Sequence, residues 1–247
     1  MSARAARPRA VAVLIAATVA AGHLGACVTS TRVIEEPLTS RADGAPSPDS
    51  DIVARDEGDP EWERWQRPEE LLDWIALGAD DHVVELGAAT GRFSERILAR
   101  LGPGGTLTVV DNDPRFVSSL EKFAARDPRV RAVALDPNLE SAPPMQADVV
   151  IIRNFAHRVE RRDLLYPLAR ASLRPGGRLV VVDFRAARTN PGPPLPDRIP
   201  EPYARAAWAR EGFRPVDPAL RLPCQYAILF AWDGPTRRGP LAPRAMK

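Results

Sequence analysis

The 247-residue chain has little lysine, histidine or cysteine. Lysine occurs only at Lys122 and Lys247, histidine three times, and cysteine only at Cys27 and Cys224. Two cysteines exclude a disulfide framework, and a modified Cys27 would leave Cys224 without a partner. Cys224 precedes an apolar stretch and has no histidine near it in sequence, so it reads as a small packed hydrophobe and not a nucleophile. Net charge is scarce too. The formal +2 includes Arg4, Arg7 and Arg9, which precede Cys27 with no acid among them; without them 31 basic residues face 32 acidic ones. Such a remainder has no electrostatic footprint for nucleic acid. That nearly all its basic residues are arginine reads as a composition bias. No metal is expected. A confident membrane span is also missing, since the apolar run Ala10 to Ala21 is short and alanine-rich.

The N-terminus does carry a positive region, that apolar run, and then Leu24-Gly25-Ala26-Cys27. This is the layout of a secretory signal peptide over residues 1–26. It resembles the bacterial lipoprotein signal, in which the cysteine thiol is diacylated and becomes the new N-terminus. The expectation is an exported protein anchored to the membrane through lipid on Cys27, on the periplasmic side of the envelope. An uncleaved anchor, a buried helix, or a cytoplasmic protein with a later start are the alternatives. Residues 27–59, rich in Ser, Thr, Pro, Asp and Gly, read as a flexible tether. A folded domain is expected over 60–234 and a disordered tail over 235–247.

Within the domain, Pro68 to Gly78 has matching helix start and stop signals. Strands are then expected over His82–Leu86, Thr106–Val110, Val130–Leu135, Ala147–Ile152 and Arg178–Phe184. Helices are expected over Arg92–Leu101, Pro114–Ala125 and Arg161–Leu173, with a turn at Pro175-Gly176-Gly177. This alternation predicts an α/β fold: a doubly wound, Rossmann-like, mostly parallel sheet of seven strands. Phe213–Leu222 and Gln225–Trp232, joined by a short link, predict a C-terminal antiparallel hairpin.

The chemistry concentrates at the strand ends. Val83-Val84-Glu85-Leu86 runs into Gly87-Ala88-Ala89-Thr90-Gly91, a bare strand-to-helix turn that lets backbone N–H groups approach a ligand. The carboxylate of Glu85 just before it repels phosphate and disfavours hydride-transfer cofactors. Asp111, twenty residues after Gly91, is placed to accept hydrogen bonds from two ribose hydroxyls. Asn112 next to it is a further candidate ligand contact, and Asp113 before Pro114 is the better helix cap. Asp136 reads either as an acceptor for an adenine amino group or as a solvated turn acid. His157 is the candidate base or acceptor contact, or else it caps or packs. Trp62, Trp65 and Tyr203 offer an aromatic lid, with core packing the alternative for the two tryptophans.

These motifs, with Leu173 to Phe184, resemble the class I S-adenosylmethionine-dependent methyltransferases. Trp65-Gln66-Arg67-Pro68, Arg153-Asn154-Phe155-Ala156-His157 and Leu222-Pro223-Cys224-Gln225-Tyr226 look like an exported, methyltransferase-like group. The resemblance spans about Trp62 to Trp232 and implies S-adenosylmethionine as cofactor. It implies Glu85 and Gly87 at the methionine end, Asp111 at the ribose, Asp136 with Pro137 at the adenine, and Asn154 near the sulfonium. Ala89 departs from the usual glycine and is tolerable if φ stays negative there. The expected activity is methyl transfer to a small-molecule or envelope acceptor; the alternative is an idle binding or scaffolding module on the same fold.

Overall fold

The computed structural model describes residues 48–136, 145–189 and 191–234. The expected signal peptide, Cys27, Pro137 and the expected tail over 235–247 lie outside the described residues.

Among the described residues seven strands form one sheet: β1 (His82–Leu86), β2 (Thr106–Asp111), β3 (Val130–Ala134), β4 (Ala147–Arg153), β5 (Leu173–Phe184), β6 (Arg214–Arg221) and β7 (Gln225–Ala231). Their order is β3-β2-β1-β4-β5-β7-β6. The first five are parallel, while β7 runs antiparallel to both β5 and β6. This is the expected architecture. β4 reads Val149-Val150-Ile151-Ile152, all buried, because a central parallel strand is covered on both faces. Val150 and Ile152 pack with Leu165, Leu168 and Trp208, from α6 (Arg162–Ser172) and α7 (Glu201–Arg210). Val149 and Ile151 pack on the other face with Ile75, Ile97 and Leu120, from α3 (Pro68–Ile75), α4 (Arg92–Arg100) and α5 (Pro114–Ala124). Each fully buried aliphatic side chain contributes about 1.5–3 kcal/mol over its exposed state.

Register places the site. Leu86 pairs with Val110 and with Ile152, so β1, β2 and β4 end at one level and open a crevice at their carboxyl ends. At one edge, β6 carries Pro215 and Pro218 and skips register between Val216 and Leu220. Proline has no N–H to offer, which blunts that edge against further pairing.

Three features differ from the sequence reading. The turn at Pro175-Gly176-Gly177 lies inside β5, as an irregularity between the pairs Ala147–Leu173 and Val149–Arg178. Helix α7 falls in a stretch where no element was expected. The stretch read as tether is helical from Pro48 to Gly58; this helix, α1, is followed by α2 (Trp62–Gln66). The tether reading is therefore wrong for these residues. Their composition is polar, but Asp56 and Glu57 are buried, each 5 % exposed, against partners far away in sequence.

Candidate active site

The turn Gly87–Gly91 is drawn tightly across the end of β2. Gly87 N and Ala88 N both donate to Val110 O, at 2.8 and 3.0 Å. Gly87 has φ +81°, and a Cβ there would lie 2.5 Å from Phe155 Cβ, so glycine is required on both counts. Ala89 has φ +51°, so the condition of a negative value is not met there. Its amide donates to Asp111 Oδ2 at 3.0 Å, and that bond ties the turn into the left-handed region at a cost of roughly 1–2 kcal/mol.

Asp111 is fully buried. Besides Ala89, it accepts from Asn112 N at 2.8 Å and Asp113 N at 3.0 Å, both on Oδ1. Burial raises its pKa, and the Arg158 guanidinium opposes that rise most. The Asp111 carboxylate stitches the turn to β2. Asp113 caps α5, accepting from Arg115 N at 2.9 Å. Asp136 is exposed just beyond β3 and does not line the cavity described below.

Glu85 is likewise fully buried and does not line that cavity. It accepts from Ser94 Oγ at 2.6 Å and from Arg153 Nε at 3.5 Å. Arg153, at the end of β4, stands at the cavity in its place. Arg153 donates to Glu57 Oε1 on α1 at 2.5 Å and to Gln66 Oε1 at 3.4 Å, and lies 4.9 Å over the Phe93 ring. One guanidinium thus serves two carboxylates, with Glu57 the closer. Burial pushes the Glu85 carboxyl up to about 7, more than Arg153 and Ser94 hold it down.

Beyond β4 the expected residues do converge. Asn154 adopts φ +51°, a region asparagine tolerates, and its Oδ1 accepts from Gln225 Nε2 at 2.5 Å. The motif after β4 and the motif before β7 are therefore in contact. His157 Nδ1 is 2.7 Å from Asp183 Oδ1, with both side chains buried. Nδ1 is the donor to a carboxylate, which leaves Nε2 as the basic nitrogen. Asp183 pairs in register with Tyr226 on β7.

Gly87, Ala89, Arg153, Asn154 and His157 line one cavity, closed from the other side by Ile52, Val53, Asp56 and Glu57 of α1. Its volume is about 20 Å³, room for a water or two and far below the roughly 300–1,000 Å³ of a ligand pocket. Of the aromatic lid, Trp65 lines it and lies 6.1 Å from Phe184. Trp62 is fully buried in the core with Arg92 4.4 Å over its ring, and the exposed Tyr203 on α7 lines a different cavity.

Residues 84–179 match the family model described as a methyltransferase domain. An uncharacterized methyltransferase of Mycobacterium tuberculosis is 31% identical over 180 residues, covering 66% of this chain and 68% of that protein. The chain belongs to the class I methyltransferase family. The methyltransferase shares its fold with a SAM-dependent methyltransferase from Aquifex aeolicus, at TM-score 0.66 and 16% identity over 74% of this chain and 97% of that one. It also shares it with the 1,6-didemethyltoxoflavin-N1-methyltransferase of Burkholderia thailandensis, solved with S-adenosylhomocysteine, at TM-score 0.59 and 23% identity over 82% and 94%.

Four groups in or beside the methyltransferase's cavity were not expected: Glu57, Arg153, Arg158 and Asp183. Arg153 and Asp183 each close a buried apolar strand, as Glu85 and Asp111 do, and that position was the available signal. Glu57 offered none, because it lies in a segment without apolar periodicity.

Proposed function

We propose that this methyltransferase transfers the methyl group of S-adenosylmethionine to a small molecule, with His157 as general base where the acceptor carries a proton. The observation that carries the reading is the crevice at the ends of β1 and β4, where the Gly87 turn meets Arg153, Asn154 and the His157–Asp183 pair. The donor set fits the cofactor. Arg153 and the Thr90 amide already hold a carboxylate, that of Glu57, and the turn has no side chain at Gly87 to obstruct an approach. Bound there, the cofactor supplies an electrophilic methyl on a leaving group that needs no protonation.

The protein's part is alignment and proton removal. Asn154, fixed by Gln225, and the walls at Trp65 and Phe184 orient an acceptor behind the methyl, which supplies most of the acceleration in such a transfer. Asp183 holds the His157 ring so that Nε2 can take the proton of a hydroxyl or ammonium acceptor. A protein exported and lipid-anchored at Cys27 remains part of the proposal, supported by the N-terminal sequence alone; mass spectrometry of the mature N-terminus tests it. The small cavity favours a second reading, a catalytically idle module on the same fold. Calorimetric titration with S-adenosylmethionine and S-adenosylhomocysteine, followed by incubation of methyl-labelled cofactor with a small-molecule extract, separates the two. Binding and label transfer are expected. Binding without transfer leaves the idle module, and no binding removes the methyltransferase reading.

A further inference from the structure

Helix α1 carries a carboxylate to the point in the crevice where a main-chain donor and a guanidinium converge. Glu57 Oε2 accepts from Thr90 N at 3.1 Å and from Thr90 Oγ1, while Oε1 accepts from Arg153 Nη2 at 2.5 Å. The Glu57 side chain is 4% exposed. An amide from the turn ahead of α4, a hydroxyl and an arginine together form a donor set for a carboxylate from any source, and a free amino-acid group presents the same two oxygens. The place is also the right end of the crevice. Arg153 lies beside Glu85, and Glu85 with Gly87 marks the end that the sequence motifs assign to the methionine part of the cofactor.

The state of α1 points the same way. Its own apolar side chains at the cavity, Ile52 and Val53, are only half-buried. Polar latches hold it: Glu57, Asp56 accepting from Gly192 N at 3.0 Å, and Arg92 donating to the carbonyl oxygens of Glu57 and Asp59. An element attached by few buried apolar contacts opens at low cost. The 20 Å³ cavity under it has no room for an amino-acid group while Glu57 is in place, so entry of that group requires an opening of this kind.

We infer that Thr90 and Arg153 form the subsite for the carboxylate of the cofactor's amino-acid group, and that Glu57 fills this subsite until the cofactor displaces it and α1 moves out. This rests on the reading of the crevice as an S-adenosylmethionine site. The arrangement has a physical reason. Arg153 is buried, and a buried guanidinium that loses a carboxylate partner is strongly destabilising. Exchange of Glu57 for the cofactor's carboxylate keeps that charge compensated in both states. An internal occupant also weakens apparent affinity by the fraction of time that the subsite is free.

The test compares S-adenosylhomocysteine with 5′-methylthioadenosine, which keeps the nucleoside and thioether but lacks the amino-acid group. Both are titrated calorimetrically into the full chain, wild type and Glu57→Gln. The expected result is that Glu57→Gln raises the ratio of S-adenosylhomocysteine affinity to 5′-methylthioadenosine affinity at least fivefold. An equal gain for both ligands, or no gain, overturns the inference while leaving the methyltransferase reading in place. Failure of S-adenosylhomocysteine to bind either protein overturns both. Should Glu57→Gln fold poorly, hydrogen exchange of the wild type decides: amides over 52–58 are expected to exchange faster with S-adenosylhomocysteine than with 5′-methylthioadenosine, and equal or slower exchange overturns the inference.

Discussion

The buried Glu85 makes the pH dependence of stability a direct probe of the charge cluster beneath the crevice. Glu85 has no solvent contact, one neutral donor in Ser94, and a distant share of a guanidinium that sits closer to Glu57. Desolvation therefore outweighs its hydrogen bonds, and the carboxyl, ordinarily near 4.5, titrates at about 7. The sign follows from linkage. A folded-state pKa above the unfolded value means that the native protein holds a proton the unfolded chain has released. The contribution is fully present below pH 4.5 and is lost as pH rises through 7. An interval of that size corresponds to about 3 kcal/mol.

Glu85→Gln removes the titration while keeping the shape and an acceptor for Ser94. Urea unfolding of both proteins, followed by tryptophan fluorescence from pH 4.5 to 8.5, gives the difference in unfolding free energy at each pH. Asp56 and Asp111, also raised by burial, titrate in both proteins and drop out of the difference. Wild type should lose about 3 kcal/mol relative to Glu85→Gln across that range, with most of the loss between pH 5 and 7. A difference that is flat in pH would mean that Arg153 compensates Glu85 fully, and the shared-guanidinium account would be refuted.

Other substitutions test the frame of the site. Gly87→Ala forces a Cβ to 2.5 Å from Phe155 at φ +81° and should destabilise by about 2 kcal/mol or more; an unchanged urea midpoint would show that the turn can relax. Asp111→Ala strands the amides of Ala89, Asn112 and Asp113 and should cost about 2–4 kcal/mol, read as a fall in Tm; a Tm within a degree of wild type would remove the stitching role. Trp62→Ala should cost about 3–5 kcal/mol because the ring is core; S-adenosylhomocysteine affinity should barely move in the fraction that folds, and a tenfold loss would restore the lid.

The fold was legible because its signals are periodic. The run Val149–Ile152, the alternation of strand and helix, and the Leu-Pro-Cys link before Gln225 each have one stable reading. The backbone part of the site was legible for the same reason: Gly87 and Asp113 are where turn and cap chemistry require them. The charged part was only half legible. Glu85 and Asp111 end strands that point at the crevice, and sequence places them there without revealing which side of the turn their carboxylates take. Packing decides that: Ser94 and Arg153 draw Glu85 below the surface, and three amides occupy Asp111.

Helix α1 escaped the reading for a reason that bears on function. Local sequence announces a helix through an apolar face, and α1 has little of one because its cohesion with the domain is electrostatic: Glu57 to Arg153 and Thr90, Asp56 to Gly192. A segment attached that way looks like linker in sequence and behaves as an ordered cover only while its partners are unclaimed. Apolar burial does not discriminate between an internal and an external occupant, whereas a carboxylate on an arginine can be exchanged for another carboxylate with no change in charge. The property that hid α1 from sequence analysis is thus the one that suits it to yield to a carboxylate-bearing ligand.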